Sequence, residues 1–168
     1  MTPIVITCFL QVYFYDDGMK HDPKKHQSDC MIAYGVDTFG DRWSLLVLRD
    51  MMLYGKCRYN EFLASNEQIA TNVLATRLKH LECEGIVTKE RDPENRRSYV
   101  YSLTEKGVQL APVIIEIMRW SGNYMTINPR RRKLLDRLEK DREGVLSDIR
   151  ASKPLLAPPP PRPRAANG

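Results

Sequence analysis

Asn72, Thr76 and Lys79 stand four and three residues apart, which is the spacing of one helical face. On a wheel of about 100° per residue they lie opposite Leu74, the first of a row continued by Leu78 and Leu81. A helix held by that row presents an amide, a hydroxyl and a cation outward. Such a set suits a base-reading surface, because a side-chain amide pairs with adenine, a threonine methyl meets the thymine methyl, and lysine meets phosphate. An ordinary solvated helix face carries the same residue types. A second group gathers Arg91, Arg96 and Arg97 around Asp92-Pro93-Glu94-Asn95. Arginines on a hairpin tip reach phosphates or a minor groove. They also pair with neighbouring acids, here Asp92 and Glu94, as weak surface ion pairs.

Other chemistries find less support. His80 and Cys83 are three residues apart on one predicted helix, but a structural zinc site needs four ligands and no second pair is present. The sequence has no phosphate-binding glycine loop, nucleophile motif or zinc-protease motif. No enzyme activity, cofactor or metal is therefore expected. The four cysteines have no regular spacing and form no disulfide framework. Cys30 is singled out by position, since a thiol just before a helix start lies at the positive end of the helix dipole, which favours thiolate. The alternative is a small buried hydrophobe. Cys8, Cys57 and Cys83 are read as structural or incidental.

These residues need elements to position them. A short helix is expected after Cys30, ending near Phe39-Gly40. Asp41 is a good N-cap for a helix from Arg42 to about Leu53, apolar nearly all round and closed by Tyr54-Gly55. A short helix over Tyr59 to Ala64 and a polar turn over Ser65 to Gln68 follow. Thr71 is the expected N-cap of the next helix, Asn72 to about Glu84, which Gly85 stops. Ile86 to Lys89 and Ser98 to Leu103 read as a hairpin. One helix is then expected from Thr104 to between Met118 and Gly122, with a wide apolar stripe of Leu110, Val113, Ile114, Ile117 and Trp120. A last helix should run from Asn128-Pro129 to about Ile149. Helix, turn, helix, two-stranded hairpin, helix is the layout of a winged helix-turn-helix. The expected class is α+β, mainly α, with a two-stranded wing and flanking dimerisation helices.

The stretch from Cys30 to Tyr124 also resembles the HxlR-type winged helix-turn-helix transcriptional regulators, which are related to the MarR group. The resemblance is carried by Gly40-Asp41-Arg42-Trp43, Leu46-Val47-Leu48-Arg49-Asp50, Gly55 and Arg58-Tyr59-Asn60-Glu61-Phe62. It continues through Leu74-Ala75-Thr76-Arg77-Leu78-Lys79-His80-Leu81, Glu84-Gly85-Ile86-Val87 and Tyr101-Ser102-Leu103-Thr104-Glu105-Lys106-Gly107, then Leu110, Pro112 and Trp120. Departures are Met31 where proline often follows the cysteine, and Tyr59 and Phe62 where phenylalanine and leucine are usual.

The resemblance implies a bacterial-type homodimer that binds double-stranded operator DNA. On that reading Thr71, Asn72, Ala75 and Thr76 touch bases and Lys79 lies nearer a phosphate. Arg96 and Arg97 make wing contacts, and Arg58 holds a phosphate. Arg77 does the same or braces an acidic neighbour. The stripe of residues 109–120 becomes a dimerisation surface rather than simple intrachain packing. Several members of the resembled family sense oxidants or electrophiles through a cysteine at the position of Cys30, so such an effector is implied as a partner.

Composition sets the outer bounds. The chain has 168 residues, 42% apolar, enough for one packed domain with appendages. Its formal net charge is +5. Residues 30–128 carry twelve basic and twelve acidic side chains, whereas 129–168 carry eleven and five. The surplus therefore lies in the C-terminal quarter, and Arg130-Arg131-Arg132-Lys133 reads first as a solvated charge run. The apolar run Pro3 to Phe14 is too short to span a bilayer and has no basic lead, so neither a membrane span nor a signal peptide is expected, and the expected compartment is the cytoplasm.

Four segments result. Residues 1–29 are an N-terminal extension containing the β-prone Ile4 to Leu10 and an alternative start at Met19. Residues 30–124 are the winged domain, 125–152 a basic C-terminal helix, and 153–168 a proline-rich disordered tail. Two competing functions remain: a winged-helix module for protein contacts, and a nonspecific DNA binder driven by the basic C-terminus.

Overall fold

The computed structural model of the protein describes residues 29–159. The predicted strand of Ile4 to Leu10 and the alternative start at Met19 lie outside them. Helix α1 (Met31–Phe39) ends at Gly40. Asp41 then turns the chain, its carboxylate accepting from the backbone N–H groups of Trp43 and Ser44 at 3.0 and 3.1 Å. These two donors open α2 (Arg42–Tyr54), which buries Val47, Leu48, Met51, Met52 and Leu53 as the central helix. Gly55 closes it at φ +65°, a left-handed conformation that costs a glycine little.

Helix α3 (Tyr59–Leu63) inserts Phe62 into the core. Helix α4 (Thr71–Cys83) follows after the turn. Strands β1 (Val87–Arg91) and β2 (Tyr99–Leu103) pair antiparallel, with Val87 opposite Leu103 and Arg91 opposite Tyr99. The fold is thus mainly helical with a two-stranded antiparallel wing, as expected.

Four boundaries differ from the sequence reading. Ala70, not Thr71, is the N-cap of α4: its backbone is extended, and its carbonyl accepts the first helical hydrogen bond, from Leu74 N–H at 2.9 Å. The helix expected from Thr104 is two, α5 (Glu105–Val108) and α6 (Ala111–Gly122). Pro112 explains the break, since its ring cannot follow an unbroken helix and it offers no N–H to the carbonyl four residues back. The short α5 packs so closely that a Cβ on Gly107 would lie 2.2 Å from the Ile86 carbonyl oxygen.

The last helix is also two, α7 (Pro129–Lys140) and α8 (Arg142–Arg150). Asp141 leaves helical geometry and caps α8 by accepting from Gly144 N–H at 2.9 Å. The bend lets both helices reach the core, where Leu134, Leu138, Val145 and Ile149 are buried. Arg137 on α7 then pairs with Asp148 on α8 at 2.6 Å.

The fourth correction concerns the tail. Its first residues are docked: the N–H groups of Leu155 and Leu156 donate to the Leu53 carbonyl at 2.9 and 2.8 Å, and Pro154 lies beside Gly55. The C-terminal segment is therefore anchored on the end of the central helix up to that point.

Candidate nucleic-acid interface

Helix α4 is seated by its leucine row, with Leu74, Leu78 and Leu81 at 0, 1 and 0% exposure. Full burial of three leucines stabilises the seating by roughly 1.5–3 kcal/mol each. Four polar contacts fix the helix further. Tyr59 Oη donates to the Thr71 carbonyl at 2.7 Å near the N-terminus. Arg77 Nε lies 3.4 Å from Asp41 Oδ1, and His80 Nε2 lies 2.8 Å from the Thr38 carbonyl. Lys106 Nζ donates to the Glu84 carbonyl at the C-terminal end at 2.6 Å. His80, weighed in the sequence as half of a metal pair, is thus a tie between α4 and α1.

The opposite face is exposed, and all five predicted contact residues are on it: Thr71, Asn72, Ala75, Thr76 and Lys79. Asn72 Oδ1 accepts from Val73 N–H at 2.9 Å, and Thr76 Oγ1 donates to the Asn72 carbonyl at 2.9 Å. These contacts orient the two polar side chains along the helix start.

The wing is built around Asp92. Although its residue is only 2% exposed, the carboxylate accepts from Arg58 Nε at 2.7 Å, Glu94 N–H at 3.0 Å and Ser98 Oγ at 3.3 Å. The Arg58 guanidinium, then the Glu94 N–H, hold its carboxyl below the usual aspartate range. Arg58 itself is bridged to Val100 of β2, and Tyr101 N–H donates to the Cys57 carbonyl at 2.8 Å. The residues entering α3 thereby form a third edge on the wing. Arg58 also lies 3.8 Å from Glu61 and 3.5 Å from Glu94, so three carboxylates surround the side chain expected on a phosphate. Arg77 shows the bracing geometry of its two expected roles. Burial pushes the Asp41 carboxyl up, but hydrogen bonds from Ser44, then the Arg77 charge and the Trp43 N–H, outweigh it and hold the carboxyl below the ordinary range.

Arg96 and Arg97 are exposed at the wing tip. Arg91 is engaged: its Nη1 donates to the Arg96 carbonyl at 3.0 Å, and its guanidinium sits 4.4 Å from the centre of the Tyr99 ring. Lys89 lies over the same ring at 4.2 Å. Sequence reasoning did not anticipate these cation–π contacts, although the alternation of Lys89, Arg91, Tyr99 and Tyr101 on paired strands was a usable signal.

Cys30 is exposed and is the N-cap residue of α1. The same helix exposes Met31, Ile32, Tyr34 and Val36, and α6 exposes Val113, Ile117 and Trp120. The Trp120 and Tyr124 rings meet in a tilted contact at the end of α6, their centres 5.0 Å apart. Among the described residues no helix is long and apolar enough to cross a membrane.

Comparison with known proteins agrees with this geometry. Residues 38–129 match the family described as HxlR-like helix-turn-helix. The uncharacterized HTH-type transcriptional regulator YvaP of Bacillus subtilis (strain 168) is 38% identical over 90 residues, covering 54% of this chain and 82% of that protein. The uncharacterized HTH-type transcriptional regulator sll1512 of Synechocystis sp. is 32% identical over 96 residues, covering 57% and 70%. Among solved structures, the redox regulator HypR in its oxidized form superposes with a TM-score of 0.52 at 27% identity, covering 58% of this chain and all of that one. With more than half of its length matched and the helix-turn-helix and wing in place, the chain belongs to the HxlR-like helix-turn-helix family of transcriptional regulators.

Proposed function

We propose that the protein is a homodimeric, sequence-specific regulator that binds double-stranded operator DNA. Helix α4 enters the major groove, Thr71, Asn72, Ala75 and Thr76 meet base edges, and Lys79 meets a phosphate. Arg96 and Arg97 of the wing meet the backbone or the adjacent minor groove. Arg58 and Arg77 support these contacts from behind, through Asp92 and Asp41.

The observation that carries this reading is the two-sidedness of α4: a fully buried leucine row backs an exposed face of small and hydrogen-bonding residues. The apolar residues exposed on α1 and α6 support a twofold assembly. The place of Cys30 at the start of α1, beside that apolar surface, and the likeness to a redox regulator support a thiol-responsive dimer.

Selection of duplexes from a random-sequence pool by the purified full chain, with sedimentation of the protein alone, tests the proposal. A near-palindrome with half-sites about one helical turn apart, retained by a dimer, is the expected result. Uniform recovery that vanishes when the exposed Arg130, Arg132 and Lys133 are replaced by glutamine would establish the nonspecific alternative driven by the basic C-terminus instead.

A further inference from the structure

A polar cluster joins the central helix to the turn before α4. The Asp50 side chain is 3% exposed, near the end of the central helix. Its Oδ1 accepts from Arg49 Nε at 2.9 Å and Nη2 at 2.6 Å. Its Oδ2 accepts from Lys56 Nζ at 2.8 Å and from the Ser65 hydroxyl. Lys56 Nζ also donates to Ser65 Oγ at 2.6 Å. Arg49 reaches on to Glu67 with two bonds of 2.7 and 3.0 Å. Two cations and two carboxylates therefore balance in a half-buried space.

The connectivity of this cluster gives it a purpose. Arg49 and Asp50 belong to α2, Lys56 follows the left-handed Gly55, and Ser65 and Glu67 form the turn between α3 and α4. Gln68, next in the chain, has φ +57°, a conformation uncommon for a residue with a side chain and costly unless its surroundings impose it. Helix α4 starts three residues later. The cluster thus grips the segment whose backbone angles set the direction of α4. Hydrogen bonds between ionised groups are shorter, stronger and more directional than apolar packing, and breaking one partner of a buried ionic cluster leaves the others uncompensated.

We infer that Asp50 is a positioning residue: through Arg49, Lys56 and Ser65 it latches the turn of the helix-turn-helix and so aims α4 at the groove. This inference rests on the DNA-binding reading above. It assigns Arg49 and Lys56 to orientation rather than to phosphate contact, and separates fine base readout from bulk affinity. A tilt of α4 misplaces Asn72 and Thr76 against base edges, while the flexible cations of the wing still find phosphates.

The test uses the full chain and a duplex that wild type selects from a random pool, beside a shuffled duplex of equal composition. Affinity for both is measured at one salt concentration for wild type, Asp50→Asn and the double variant Ser65→Ala/Glu67→Gln, with thermal unfolding of each. The double variant loosens the latch from the turn side and leaves the buried carboxylate with both cations, so it covers the case in which Asp50→Asn does not fold. The expected result is a loss of about tenfold or more in the ratio of selected to shuffled affinity, equivalent to about 1.4 kcal/mol, with shuffled-duplex affinity and cooperative unfolding retained. An unchanged ratio overturns the inference. So does a parallel fall of both affinities with the unfolding midpoint, which would make the cluster a stabilising element alone. If wild type selects no sequence, the DNA-binding reading fails and takes the inference with it. A selecting wild type with unaltered variants defeats the positioning role alone.

Discussion

The Nε2 atom of His80 lies 2.8 Å from the backbone carbonyl oxygen of Thr38 and donates to it across forty-two residues of sequence. Thr38 is buried in the last turn of α1, where helix carbonyls have no partner within the helix. The bond therefore ties α1, which Cys30 precedes, to α4, which carries the face proposed to read bases. His80→Ala should destabilise the protein by about 1–3 kcal/mol, because a buried carbonyl is left unpaired. His80→Gln, which keeps a donor, should recover part of that loss. Denaturant unfolding of the two variants checks the prediction, and equal stability of His80→Ala and wild type would contradict it.

The proposed reading face and the wing should fail differently. Asn72→Ala should cost about 1–3 kcal/mol against a selected duplex and little against shuffled DNA, as expected for a bidentate base contact. Arg96→Ala and Arg97→Ala should weaken both duplexes alike. Each should also lower the slope of log affinity against log salt by about 0.9, the signature of one lost phosphate contact. Anisotropy titrations at several salt concentrations separate the two patterns.

Acid should release the wing. Asp92 is held below the ordinary aspartate range by Arg58, the Glu94 N–H and Ser98. A carboxyl depressed in the folded state contributes stability that is complete above its unfolded value, near 3.9, and is lost as pH falls through the folded value. Stability should therefore decline below about pH 4, and less steeply in Asp92→Asn, which starts lower. Unfolding midpoints between neutral pH and pH 3 read this directly. Matching slopes in the two proteins would remove Asp92 from the account.

Cys30 sits at the edge of the apolar surface of α1. If the proposed thiol response operates, treatment of the protein with a mild thiol oxidant should change its affinity for a selected duplex, and reductant should restore it. Cys30→Ser should bind as reduced wild type does and ignore the oxidant. A Cys30→Ser protein that still responds would transfer the response to another cysteine.

Much of the fold was legible because it depends on neighbours in sequence. The Asp41 cap, the periodicity of Leu74, Leu78 and Leu81, and the Asp92-Pro93-Glu94-Asn95 turn are local signals, and each formed the element it predicted. The exposed face of α4 followed from the same periodicity. The break before α6 was also locally signalled, by Pro112, but the wide apolar stripe outweighed that cue in the sequence reading.

What the tertiary structure alone decided is where the charged side chains go. Arg58 reaches Asp92 across thirty-four residues and Arg49 reaches Glu67 across eighteen. Leu155 and Leu156 bind the carbonyl of Leu53. Asp141 interrupts a continuous helical pattern so that Val145 and Ile149 can turn back onto the core. Local periodicity describes which side of a helix is apolar. The partner of an arginine depends on how helices cross and where turns end, and those distances exist only once the core has packed.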